Sequence, residues 1–201
     1  MAALSQTEGM MNINESIMAN QESIMTKKDV RRLVRQRIAS MTPDQAMAES
    51  QQLCDRVAET EEWREACNVL MYMALPDEIS LMPLVRRSLA EGKRVWMPVV
   101  DGDELRIRLY DERFMLPVPP FGIMEPTSAS QELIAVDELD LALIPGRAFT
   151  RDGIRVGRGK GYYDRLLTRL TCPLWGVGYE CQMFDCLPSD PWDVRMTCTI
   201  P

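Results

Sequence analysis

The sequence predicts a three-layer α/β/α fold with a mostly parallel central sheet. Three short, almost continuously apolar runs, Val69–Leu75, Leu139–Ile144 and Leu174–Tyr179, read as strands buried on both faces. Between them lie segments with apolar residues at helical spacing, which would cover those faces. The chain has 201 residues and is 46% hydrophobic, enough to bury a core of several strands and helices.

Residues 1–25 are polar and weakly periodic, and are expected to form a disordered N-terminal tail ahead of a single domain over 26–201. "KKDVRRLVRQRIA", 27–39, is a helix with Val30, Leu33, Val34 and Ile38 on one face. Thr42-Pro43-Asp44-Gln45 is a helix start: Thr42 caps, Pro43 suits the first turn and Gln45 completes a capping box. That helix runs to about residue 58, and 61–66 add a further turn. Val69–Leu75 is a strand stopped by Pro76, Ser80 caps the next helix, and that helix ends near Gly92. Arg94–Val100 is a strand, 101–103 a turn, and Leu105, Ile107 and Leu109 alternate as in a half-buried strand. Residues 115–130 hold four prolines and predict a long loop. Leu139–Ile144 is a strand ended by Pro145-Gly146, Tyr162–Leu170 a helix and Leu174–Tyr179 a strand.

Composition narrows the chemistry. A formal charge of −7 argues against general nucleic-acid binding. The longest apolar run is too short to span a membrane, and the N-terminus lacks an export pattern. Six cysteines without a CxxC pair then predict reduced thiols, a cytoplasmic setting and no cysteine-built metal site. The chain has no histidine, which excludes a Ser–His–Asp triad, a Cys–His pair and a His-ligated zinc. Chemistry that needs positioning and charge more than a base, phosphoryl transfer above all, suits such a chain.

The stretch "GIRVGRGKGYYDRLL", 153–167, concentrates the opposite charge. From 147 to 169 there are seven cations against two anions. Glycines 153, 157, 159 and 161 permit positive φ and let backbone N–H groups approach an anion, while the following helix offers its N-terminus. Arg155, Arg158 and Lys160 add full charges. Neither Walker A nor the dinucleotide fingerprint fits, because Ile154, Gly161 and Tyr162 stand where those motifs need other residues. Asp164 is either a magnesium carboxylate or a residue that counters the helix dipole.

"DGIRVGRGKGYYDRLL" resembles the signature of the 5-formyltetrahydrofolate cyclo-ligase (methenyltetrahydrofolate synthetase) family. "KKDVR" at 27–31, "YMALPDEI" at 72–79, "GKRVWMP" at 92–98, "FGIMEP" at 121–126 and "LALIPGRAFTRDG" at 141–153 continue the resemblance in order. It implies an enzyme that uses ATP and Mg²⁺ to close 5-formyltetrahydrofolate into 5,10-methenyltetrahydrofolate. Its small-molecule partners would be the folate and ATP; the sequence does not fix the oligomeric state, and a monomer is the expectation. Carried over, the ATP contacts fall on Lys27, Lys28, Asp29, Val30 and Arg31, and on Arg155, Val156, Gly157, Arg158, Gly159, Lys160, Gly161, Tyr162 and Tyr163. Arg158 and Lys160 would be the catalytic cations. Met73, Glu78 and Phe121 would contact the folate, and Asp164 and Asp193 the metal. Two departures stand out: Trp192 replaces a histidine often found before the aspartate, and the short tail after Asp193 predicts an incomplete closing strand. Two alternatives share the scaffold: a non-catalytic folate- or nucleotide-binding regulator, and an ATP-dependent enzyme for another small molecule.

Overall fold

The computed structural model describes residues 25–119, 122–127 and 134–201. Helix α1 (Lys27–Ala39) begins at a reciprocal capping box between Thr26 and Asp29. Helix α2 (Pro43–Ala58) starts from the box between Thr42 and Gln45 that the sequence predicts. Thr60 caps the short α3 (Glu61–Glu65). Helix α4 (Met82–Ala90) begins one residue later than expected, with Leu81 and not Ser80 at the cap, and its end leads into Gly92 at φ 76°. Helix α5 (Tyr162–Leu167) is three residues shorter than expected. The N–H groups of Arg169 and Leu170 reach back to the carbonyls of Leu166 and Leu167, tightening the chain before Pro173.

The main sheet is built from β1 (Asn68–Leu70), β2 (Arg94–Asp101), β3 (Glu104–Leu109), β6 (Leu141–Pro145), β9 (Leu174–Val177) and β11 (Cys198–Ile200), in the order β11-β9-β6-β1-β2-β3. All neighbours are parallel except β2 and β3, a hairpin turning at Gly102-Asp103. Strand β1 is shorter than Val69–Leu75. Met71 still donates its N–H to Trp96 O at 2.8 Å, and the chain then leaves the sheet to form a loop at its carboxyl edge. The tail closes the sheet after all: β11 pairs with β9 in parallel register, Thr199 opposite Gly176.

Residues 115–126 are not a plain loop. They form an antiparallel ribbon of β4 (Met115–Val118) and β5 (Ile123–Pro126), with Pro117 opposite Met124 and Pro126 opposite Met115. A two-stranded ribbon has only edge strands, where a proline's missing N–H can face away from the partner. A second small sheet, β10-β7-β8, joins β7 (Ala148–Thr150), β8 (Arg155–Val156) and β10 (Met183–Phe184).

Strand alternation divides the core in two. Val69, Met71, Leu141, Leu143, Trp175 and Val177 face α2, α3 and α4, packing on Leu53, Trp63 and Leu84. Leu70, Ala142, Ile144 and Leu174 face the other way, onto Leu166 and Leu167 of α5 and onto Phe149. Helix α1 stands apart on the small sheet, with Val30 and Val34 packed on Ala148 and Val156. The sheet is thus covered on both faces, and the loops after the adjacent strands β1 and β6 lie side by side at its carboxyl edge.

Candidate active site

Three separate stretches meet at that carboxyl edge: the start of α1, the loop after β1, and the glycine turn between β8 and α5. Arg31 on α1 donates from Nε to Gly157 O at 2.7 Å, tying the helix to the turn. Arg158 on the turn reaches the β1 loop, donating from Nε to Glu78 Oε1 at 2.8 Å and from Nη2 to Asp77. Glu78 is fixed from its other oxygen, since Leu75 N donates to Oε2 at 3.0 Å. Tyr179 braces the same loop by donating to Glu78 O at 3.0 Å, and Tyr72 by donating to Ile79 O at 3.0 Å.

The turn itself depends on glycine. Gly159 and Gly161 have φ of 98° and 74°, and Gly161 is the N-cap of α5 without any side-chain cap. A Cβ at Gly159 would stand 3.3 Å from the Arg31 guanidinium carbon, so the turn and α1 approach more closely than most side chains would permit. Lys160 lies between these glycines, exposed and without a hydrogen bond or ion pair among the described residues.

Arg155 is buried, donating from Nε to Pro145 O and from Nη1 to Asp164 Oδ1, both at 2.9 Å. Its guanidinium also lies 5.5 Å from the centre of the Tyr163 ring. Burial pushes the Tyr163 phenol far above its ordinary value and the nearby Glu78 adds to the effect, so this hydroxyl stays protonated and can donate.

At the start of α1, Lys27 Nζ donates to Asp193 Oδ2 at 2.5 Å and to Asp190 Oδ2 at 2.8 Å. Partial burial pulls the Lys27 ammonium down, but its hydrogen bonds to Asp190 and Asp193 outweigh that and raise it. Burial pushes Asp193 up, and Lys27 together with Asp190 N–H holds it below the ordinary carboxylate value.

A sequence model of the 5-formyltetrahydrofolate cyclo-ligase family matches residues 23–200. The chain belongs to the 5-formyltetrahydrofolate cyclo-ligase family. It is 30% identical over 178 residues to the 5-formyltetrahydrofolate cyclo-ligase of Haemophilus influenzae, covering 85% of this chain and 94% of that one. It is 28% identical over 175 residues to the cyclo-ligase of Escherichia coli K12, covering 84% and 96%. The fold is similar to the NMR structure of Aquifex aeolicus 5,10-methenyltetrahydrofolate synthetase, with TM-score 0.78, 31% identity and 88% and 89% of the two chains covered. It is also similar to the synthetase of Mycoplasma pneumoniae, with TM-score 0.71, 25% identity and 88% and 98% covered.

Within this cyclo-ligase family member, the structure sorts the residues expected at the site. Lys27, Arg31, Glu78, Gly157, Arg158, Gly159, Lys160, Gly161 and Tyr163 lie on the three stretches that meet. Val30 and Val156 lie there too, but both residues are buried in the α1 core, 1% and 0% exposed. Asp29 is taken up by the α1 cap and by Arg32, and Lys28 is exposed beside it. Tyr162 turns toward the β2–β3 hairpin, donating weakly to Gly102 O at 3.4 Å. Met73 packs against the core on the α2 side. Phe121 lies outside the described residues.

Asp164 and Asp193, expected as joint metal ligands, are held by different cations, Arg155 and Lys27. No group of three or more His, Cys, Asp or Glu suited to a metal occurs among the described residues. Asp164, paired with Arg155 through Oδ1 and half exposed, is an oxygen donor of the kind Mg²⁺ takes beside phosphate and water.

Sequence reasoning missed Asp77, which accepts from both Arg158 and Arg147, and the bracing hydroxyls of Tyr72 and Tyr179. Asp77 sits inside the quoted "PDE" beside Glu78, and its acidity opposite a basic turn was the available signal. Burial raises the Asp77 carboxyl, but hydrogen bonds from Arg158 and Arg147 outweigh this and hold it below the ordinary value.

Proposed function

We propose that this chain converts 5-formyltetrahydrofolate to 5,10-methenyltetrahydrofolate, with ATP as the co-substrate. The observation that carries this reading is the contact between Arg158 and Glu78. It joins the turn suited to phosphates with the loop suited to a pterin, so both substrates would be held against one another.

The chemistry explains why such a contact is needed. A formamide carbon is a poor electrophile, and its oxygen leaves badly as hydroxide. Transfer of the γ-phosphoryl group to the formyl oxygen breaks the bond to ADP and makes that oxygen part of a good leaving group. N10 of the folate then attacks the formyl carbon, closing the ring. Inorganic phosphate departs with the former formyl oxygen, and the N10 proton is lost. The protein's task is to align the formyl oxygen with the γ-phosphate and to balance the charge that develops there.

In this reading Lys160 and Arg158 balance the phosphoryl charge, and the N–H groups of residues 157–161 cradle the phosphates. Lys27 and Arg31 flank them from α1. Glu78 accepts from the N–H groups of the pterin, with Met73 against its ring. Mg²⁺, when bound, neutralises phosphate charge, with Asp164 as its protein carboxylate. Asp193 instead holds Lys27 in place. No histidine is required at any step, in keeping with a chain that has none.

The test is ATP-dependent appearance of the methenyl absorbance from 5-formyltetrahydrofolate. Absorbance that rises only with folate and ATP together supports the reading; binding of both without a colour change refutes it.

A further inference from the structure

Arg147, in the loop between β6 and β7, is only 6% exposed, yet its buried Nη1 has no hydrogen-bond partner among the described residues. A buried guanidinium donor left unpaired is costly, so a side chain that keeps one needs a reason. Its backbone is held firmly: Arg147 N donates to Val156 O at 2.7 Å, and Arg147 O accepts from Gln182 Nε2 at 3.0 Å. Its other terminal nitrogen, Nη2, is 2.5 Å from Asp77 Oδ2. The second oxygen of Asp77, Oδ1, is taken by Nη2 of Arg158.

Asp77 is therefore shared between two guanidiniums, one oxygen each. The two differ in freedom. Arg147 sits in the buried loop after β6, with a side chain 7% exposed, whereas Arg158 sits on the glycine turn, one third exposed. If Arg158 turns to a phosphate oxygen, Asp77 Oδ1 is released. A planar guanidinium can take a carboxylate with both terminal nitrogens, and Arg147 has one to spare beside that same carboxylate.

We infer that Arg147 is a positioning residue that acts through Arg158: its spare Nη1 takes the Asp77 oxygen that Arg158 gives up, keeping Asp77 paired while Arg158 serves the nucleotide. This rests on the reading that Arg158 binds phosphate. Without Arg147, Arg158 is the one cation left on Asp77 among the described residues, and Asp77 holds it back. The partner exchange thus lowers the cost of moving Arg158 from carboxylate to phosphate. No bond to the ligand is asked of Arg147 itself.

Calorimetric ATP affinity of the full chain decides it. Arg147→Met weakens ATP binding about tenfold, the scale of one charge-assisted hydrogen bond. Arg147→Lys, which keeps the charge but loses the fork, serves if the methionine variant folds poorly and lies in between. The double variant Asp77→Asn, Arg147→Met removes the competing carboxylate and returns affinity to near the wild-type value. Unchanged affinity in Arg147→Met overturns the inference. So does equal weakening in single and double variants, which would mean that Arg147 contacts the ligand or supports the fold. A wild-type protein that binds no ATP refutes the functional reading instead. The exchange rate of the Arg158 Nη2 protons, the ones that reach Asp77, in ligand-free protein then decides the present inference by itself. Slower exchange in Arg147→Met than in wild type supports it; an unchanged rate overturns it.

Discussion

Arg158 Nε donates to Glu78 Oε1 at 2.8 Å, across a separation of 80 residues in the chain. This one contact joins the glycine turn after β8 to the loop after β1. In the proposed reading it makes the two loops parts of one site. Arg158→Ala should therefore raise the KM for both ATP and folate and lower turnover by about 100-fold, the scale of one charged donor in a phosphoryl-transfer site. Steady-state kinetics with each substrate varied in turn checks this; a change confined to ATP would separate the two loops.

Lys160 gives the cleaner test of charge alone. It is exposed and makes no hydrogen bond or ion pair among the described residues. Lys160→Ala should leave the urea midpoint unchanged and lower turnover by about 100-fold. Unaltered turnover would remove Lys160 from the site.

Gly153 tests the frame behind the turn. Its φ is 91°, and a Cβ there would lie 2.3 Å from the backbone oxygen of Met196. Met196 N also donates to Gly153 O at 2.8 Å, so the two backbones cannot separate without losing a bond. Gly153→Ala should cost about 2–4 kcal/mol of stability, combining a strained backbone with a steric clash. Chemical denaturation measures it.

The Lys27–Asp193 pair predicts a pH signature. Asp193 is held below its ordinary value of 3.8, so its contribution is complete above that value and is lost as pH falls through the lower folded-state value. Lys27 is raised above 10.5, so its contribution is complete below 10.5 and is lost as pH rises through the higher folded-state value. The stability gap between wild type and Lys27→Met should be flat from about pH 5 to 10 and shrink at both extremes. Urea midpoints across that range check it, and a gap that varies through neutrality would contradict the pairing.

Much of this molecule is legible in its sequence. Val30 and Val34, the Thr42–Gln45 box and the alternation of Leu105 and Ile107 are local patterns, and local physics decided them. The ribbon at 115–126 was hidden because its prolines imitate a loop, and only the pairing of Pro117 with Met124 reveals strands. Strand β11 was hidden because three residues beside an existing edge carry too little pattern of their own. At the site, motif order supplied Arg158 and Glu78 separately. Their contact, and the sharing of Asp77 with Arg147, arise from the adjacency of β1 and β6 in the sheet, which no linear spacing encodes. At Val30 and Val156 a motif position coincides with a core position, and linear spacing does not separate the two.

The most direct measurement is a single-turnover reaction of the full chain with 5-formyltetrahydrofolate and γ-labelled ATP, the formyl oxygen carrying ¹⁸O. Phosphoryl transfer to that oxygen predicts methenyl product and inorganic phosphate in equal amounts, with the ¹⁸O in the phosphate. Methenyl product formed without ATP cleavage, or phosphate free of ¹⁸O, would contradict the account.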